Sequence, residues 1–156
     1  MEATRAHYLD AAAVMAAMPP VDERVALAER TLTALVDEAD LPPKIGVHPR
    51  PGGSFAHAMP AALLPRDGAD LLGMKWVTGF HENQARGLAA INATVLLNDP
   101  ATGRLRAVLD GAGITAERTA AVSGVAISRF GPAAAASASA RSACRSKMAR
   151  VVPGRT

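Results

Sequence analysis

Two hydrophobic periods divide this chain. Asp10 stands before "AAAVMAAM", which predicts a short helix through about Met18 with Asp10 as its cap. Pro20 then suits the first turn of a longer helix, and Asp22 and Glu23 suit its positive N-terminal end. Val25, Leu27, Leu32, Leu35 and Val36 make the core-facing stripe of that helix, which should end near Asp40, before Pro42 and Pro43. Beyond it the apolar runs shorten. "KIGVHPR", "SFAHAMPA", "LLGMKWVTGF", "INATVLLN" and "LRAVLD" have strand content, and turn-rich stretches such as Pro51-Gly52-Gly53, Asp67-Gly68 and Asn98-Asp99-Pro100 separate them. The turn from Asn98 to Gly103 predicts a hairpin that pairs the fourth and fifth runs. A helix follows from Ile114 to about Ile127, with Thr115 as its cap and Arg118 in its first turn. The pattern is that of an α+β domain: N-terminal helices, a mixed, mostly antiparallel sheet of about five to six strands, and a C-terminal helix.

Composition changes this picture mainly at one end. All 14 acidic residues and 11 of the 17 Lys and Arg lie in residues 1–127, whereas residues 128–156 carry six basic groups and no acid. The pI of about 9.6 therefore belongs to the tail. That tail is low in complexity, shows no clear period, and is expected to be disordered. No interleaving of basic and aromatic residues suggests a nucleic-acid face. The apolar N-terminal stretch ends at Pro19-Pro20, which is poor for a signal peptide, and no run approaches the roughly 18 residues of a membrane span. Cys144 is the single cysteine, consistent with a reducing, cytoplasmic setting. His7, His48 and His81 show no ligand spacing with one another or with Cys144, so no metal is assigned.

Gly111, Gly113 and Ala116 fall in the spacing GxGxxA after an apolar run, the outline of a dinucleotide-binding turn. Such a turn also needs a second parallel strand and an acidic residue about 20 positions on. That count lands in "FGPAAAASAS", which has neither. The stretch reads as a glycine-rich strand-to-helix turn, and the fold holds no complete Rossmann domain.

The segments "LGMKWVTGF", "ARGLAAI", "VLLNDPATGRLRAVLDG" and "ITAERTAAVSGVA", in this order and spacing, resemble the ornithine cyclodeaminase and mu-crystallin family over roughly residues 8 to 127. The resemblance implies an N-terminal substrate-binding and dimerisation domain, here 1–127, followed in full-length relatives by a Rossmann domain that binds NAD or NADP. By that likeness Lys44 stands where an Arg usually meets the substrate carboxylate, keeping the cation but losing the bidentate fork. Lys75 matches a lysine that contacts substrate and in imine-reducing members assists proton transfer, which makes it the catalytic candidate. Arg118 matches an arginine where substrate and nicotinamide cofactor meet. His57 stands where ornithine-deaminating members carry Glu, which counts against ornithine as substrate. Ala90 replaces a cofactor-contacting Thr of some members.

Without the resemblance these residues have plain readings: Lys75 as an edge or solvent-facing strand residue, Arg118 as an ordinary helix residue, His57 as a structural histidine. With it, the expected function is that of a truncated or frameshifted relative of NAD(P)-dependent amino acid cyclodeaminases or ketimine reductases. Such a chain would bind a small amino or imino acid, hold no cofactor alone, and form a homodimer or aggregate. The alternative is a non-catalytic dimerisation or binding module.

Overall fold

A computed structural model describes residues 5–66 and 68–131. Its elements are β1 (His7–Leu9), α1 (Ala11–Ala16), α2 (Val21–Ala34), β2 (Ala39–Asp40), β3 (Ile45–Val47), β4 (Phe55–Leu63), β5 (Leu71–Gly79), a 3-10 segment (His81–Arg86), β6 (Ile91–Asn98), β7 (Leu105–Asp110) and α3 (Ala112–Phe130). The five strand-like runs of the sequence become β3 to β7. Two short strands add to them, giving a seven-stranded sheet in the order β1-β7-β6-β5-β4-β2, with β3 also paired to β4. All pairings are antiparallel except that of β1 with β7.

The chain forms two compact units: the sheet with α1, and the pair α2 and α3. In the sheet unit, Asp10 caps α1 by accepting the Ala13 N–H at 2.8 Å, as its position before the apolar run predicts. The hairpin between β6 and β7 also forms as expected. The Asp99 carboxylate accepts from the Ala101 and Thr102 N–H groups and the Thr102 hydroxyl, while Gly103 supplies φ +71°. Val14, Ala56, Val77 and Ala93 are the buried apolar side chains of this unit.

The expected course of the second helix is corrected. It ends at Ala34, not Asp40, because the chain turns after Glu38 donates to the Ala34 carbonyl and Ala39–Asp40 pairs with β4. The proposed stripe is not a core either: Leu27, Leu32, Leu35 and Val36 are exposed, and no residue of α2 is fully buried. The face that packs is Val21, Arg24, Val25 and Ala28, one helical stripe of half-buried residues. Val25 meets α3 at Gly124, where an added Cβ would lie 3.0 Å from its Cγ2. Arg24 and Glu117 form an ion pair at 2.5 Å, with side chains only 12% and 8% exposed, and Glu29 pairs with Arg129 near the other end. These contacts advance together along both helices, so α2 and α3 run in the same sense.

The start of α3 is corrected as well. It begins at Ala112, whose N–H donates to the Asp110 carboxylate at 3.0 Å, so Asp110 and not Thr115 caps it. The Thr115 hydroxyl is buried without a partner among the described residues. Arg118 consequently sits in the second turn, not the first. The helix runs to Phe130, three residues past the expected end; the tail from residue 132 onward, with Cys144, lies outside the described residues. No described helix is long and apolar enough to cross a membrane.

Candidate functional site

Strand register places the candidate residues on one face. In antiparallel pairs, Cα partners share a face, and faces alternate along each strand. His57 pairs with Gly46 of β3 on one side and Val77 of β5 on the other, and Met59 pairs with Lys75. Continuing the β3 register by one residue at each end sets Lys44 beside Met59 and His48 beside Phe55. The result is a patch three strands wide: Lys44, Gly46 and His48, then Met59, His57 and Phe55, then Lys75, Val77 and Gly79. Lys44 and Lys75 flank Met59 two strand spacings apart, about 10 Å between backbones. No position of the patch is a carboxylate.

Glycines on both neighbouring strands give the rings of β4 their room. A Cβ on Gly79 would lie 2.2 Å from the Phe55 ring, and one on Gly46 would lie 2.6 Å from His57 Cδ2. Phe55 therefore lies over β5 and His57 leans toward β3. The two rings are stacked with centroids 4.6 Å apart and an interplanar angle of 24°. Desolvation, followed by the charges of Lys44 and His48, lowers the His57 pKa below its ordinary 6.5. At neutral pH the ring is uncharged and its neighbourhood is positive. His48 is itself anchored, its Nδ1 lying 3.1 Å from the Ser54 carbonyl, which makes Nδ1 the protonated nitrogen.

Lys44, His57 and Lys75 are thus brought onto one sheet face. Lys75 is half-buried there, whereas Lys44 is exposed. Arg118 belongs to the helix pair and is exposed, next to the ion-paired Glu117. Ala90 leads into β6, its carbonyl accepting from the Phe80 N–H at 2.8 Å. Motif reading missed His48 and Phe55 as members of the patch, although the spacing 44, 46, 48 against 55, 57, 59 contains the signal. A cleft of about 650 Å³ lies elsewhere, lined by Arg50, Thr78, Glu82, Arg86 and Asn92 among others. Thr78 and Asn92 point from the opposite face of the sheet, so this cleft is not the space that the lysines address. Among the described residues no cluster of His, Cys, Asp and Glu could hold a metal.

The glycine turn does not fit a dinucleotide. The Asp110 carboxylate already occupies the positive end of α3, where a pyrophosphate would have to sit. Gly111 is needed for packing: its N–H donates to the Ala93 carbonyl at 2.8 Å, and a Cβ there would lie 3.0 Å from the Ala93 backbone.

Comparison with known proteins gives a consistent relationship. The model of the ornithine cyclodeaminase/mu-crystallin family matches residues 7–139. The nodulation efficiency protein NfeD of Rhizobium meliloti is 45% identical over 84 residues, 54% of this chain and 25% of that protein. A Delta(1)-pyrroline-2-carboxylate reductase of Bacillus cereus is 38% identical over 102 residues, 64% of this chain and 27% of the relative. Among solved structures, the Thermococcus litoralis Delta(1)-pyrroline-2-carboxylate reductase, in complex with NADH and L-proline, superposes with a TM-score of 0.71 at 31% identity. That match covers 78% of this chain and 37% of the reductase. An archaeal alanine dehydrogenase dimer with bound NAD gives 0.68 at 31% identity, over 79% and 36%. The chain spans about a quarter of the length of the curated relatives it matches.

Proposed function

The chain belongs to the ornithine cyclodeaminase/mu-crystallin family, whose members are NAD(P)-dependent reductases and cyclodeaminases, and from that membership we propose that residues 1–127 are a substrate-binding domain for a small amino or imino acid. The observation that carries the reading is the shared face of Lys44, His57 and Lys75. Two ammonium groups aimed at one patch suit a carboxylate, since a charge-assisted hydrogen bond is about twice as strong as a neutral one. Lys44 contributes a point charge and not a fork, so orientation falls to the second cation. Half-buried Lys75 is the proposed catalytic residue, which would contact the carboxylate and deliver a proton to an imine nitrogen. Arg118 is the proposed further contact to substrate and nicotinamide.

The nicotinamide cofactor, when bound, supplies hydride at the α-carbon. The described turn at Gly111 is not its cradle, so this chain alone is expected not to turn over. Incubation of the purified chain with NADH and a cyclic imino acid should leave NADH absorbance constant; steady oxidation would overturn that expectation. Binding is tested by calorimetry with L-proline. Lys75→Met should weaken it on the order of tenfold, and unchanged affinity removes Lys75 from the site.

A second reading, a dimerisation module, rests on the opposite sheet face. Tyr8, Ile45, Val47 and Trp76 share that face by register and are 74%, 70%, 55% and 40% exposed. A defined homodimer by light scattering, broken by Trp76→Asp, supports it. A monomeric native chain excludes it.

A further inference from the structure

The cleft of about 650 Å³ lies wholly within the sheet unit and is separate from the lysine face. Thr78 and Asn92, Cα partners across β5 and β6, make its floor. Arg50 stands on one wall, in the turn after β3; Glu82, Asn83 and Arg86 stand on the other, in the 3-10 segment. Both walls are held by their own backbones. Nearly buried Ser54 clamps the turn, its Oγ accepting the Arg50 N–H and donating to the Arg50 carbonyl, each at 2.9 Å. Positive φ at Gly52 and Gly53 folds the turn against the 3-10 segment, where a Cβ on Gly52 would lie 3.6 Å from Glu82 Oε1. That segment is closed by Gly87 in the left-handed region and by the Leu88 N–H, which donates to the Asn83 carbonyl at 2.9 Å.

Much of the polar capacity of this cleft is unspent. Among the described residues, neither the Arg50 and Arg86 guanidiniums nor the Glu82 carboxylate joins an ion pair. The Asn83 and Asn92 Nδ2 groups both donate to the Ala89 carbonyl, at 3.0 and 3.3 Å, which fixes the two amides and leaves each Oδ1 without a donor among the described residues. Two guanidiniums suit a phosphate, which each can grip through two N–H groups. The acceptors suit hydroxyls, and a carboxylate is the group that takes a ribose hydroxyl in dinucleotide sites. Phe80 and Pro51 add apolar surface for the C–H face of a ring. A bare phosphate would leave the acceptors idle and meet Glu82 as like charge. An amino acid zwitterion would supply one ammonium to acceptors that are spread from floor to wall. The volume is within the roughly 300–1,000 Å³ of small-molecule sites. We propose that the cleft binds a pentose phosphate group, free or carried in a nucleotide, with its phosphate on Arg50 and Arg86 and its hydroxyls on Glu82, Asn83 and Asn92. This second site goes beyond the substrate-binding reading and does not depend on it.

The test is a set of NMR titrations of the purified, nitrogen-labelled chain with ribose 5-phosphate, AMP, ribose and inorganic phosphate, following the side-chain amide resonances of Asn83 and Asn92. Ribose 5-phosphate is expected to move both amides and to bind at least on the order of tenfold more tightly than ribose or inorganic phosphate. Arg50→Met and Arg86→Met should each weaken it by about tenfold, and Glu82→Gln should weaken ribose 5-phosphate without weakening inorganic phosphate. AMP binding more tightly than ribose 5-phosphate identifies a nucleotide as the source of the group; AMP binding no more tightly identifies the free sugar phosphate. Inorganic phosphate binding as tightly as ribose 5-phosphate overturns the proposal, as does unchanged affinity in both arginine variants. Shifts confined to the His48 and His57 imidazoles overturn it too, since they place the phosphate on the lysine face.

Discussion

Gly79→Ala probes the packing that holds His57. The new Cβ would lie 2.2, 2.5 and 2.8 Å from three carbons of the Phe55 ring, whereas unstrained carbon contacts begin at about 3.5 Å. The ring must therefore retreat by about 1.3 Å at its nearest atom, and retreat carries it against the stacked imidazole at 4.6 Å. Overpacking of this kind costs about 1–3 kcal/mol. Replacing a strand glycine by alanine returns about 0.5–1 kcal/mol through lower backbone entropy in the unfolded chain. The net expectation is a loss of about 0–2.5 kcal/mol, centred at about 1 kcal/mol against the roughly 5–15 kcal/mol of a whole domain. In a Phe55→Ala background the clash is gone, so the same glycine substitution should stabilise by about 0.5–1 kcal/mol. Urea unfolding of the four chains of this double-mutant cycle should give a coupling of about 1–3 kcal/mol. Equal effects of Gly79→Ala in both backgrounds, within about 0.5 kcal/mol, would refute the account of why glycine stands opposite Phe55.

Three further outcomes follow from the same geometry. Glu117→Leu alone should destabilise the fold by about 3 kcal/mol, since it strands the nearly buried Arg24, and Arg24→Met with Glu117→Leu should recover most of the loss in the same denaturation assay. NMR titration should place the His57 midpoint below 6.5 and Lys44→Ala should raise it; because the native state favours the neutral ring, the associated stability is present above pH 6.5 and is lost as the pH falls through the native midpoint. Asp99 is held below its ordinary 3.8, first by the Thr102 hydroxyl, so its contribution to the hairpin is present above pH 3.8 and is lost as the pH falls through its native midpoint, and Thr102→Val should move that midpoint back up in a carboxyl NMR titration.

Much of the sheet was legible because its strands are bounded by turns with their own chemistry. Asp99 and Gly103 fix one hairpin, and paired positive φ values at Gly52 and Gly53 allow the turn before β4. β2 was hidden, since two residues carry no period, and its pairing with Leu63 and Ala62 is decided by tertiary contact. The stripe on α2 misled for a related reason: Leu27 and Leu32 are apolar but lie off the face marked by Arg24 and Val25, which a buried ion pair and a glycine contact select. Hydrophobicity alone does not announce that an arginine will be the packed residue. At the candidate site, Lys44, His57 and Lys75 came forward by likeness to a family, and register then showed that one sheet face unites them. His48 needed the register itself, because its position beside Phe55 exists only once β3 and β4 are paired.

The parallel pairing of β1 with β7 has a consequence for how the chain is made. His7 faces Ala107, a hundred positions later, while β4, β5, β6 and β7 join neighbours close in sequence. On a ribosome the antiparallel ladder can grow hairpin by hairpin, yet the first strand must wait, with the Tyr8 and Leu9 backbone unpaired, until Leu105–Asp110 has emerged. The sheet is therefore closed by its earliest residues and latest strand together, and the order of synthesis makes that edge the last to form and the most exposed to mispairing while it waits.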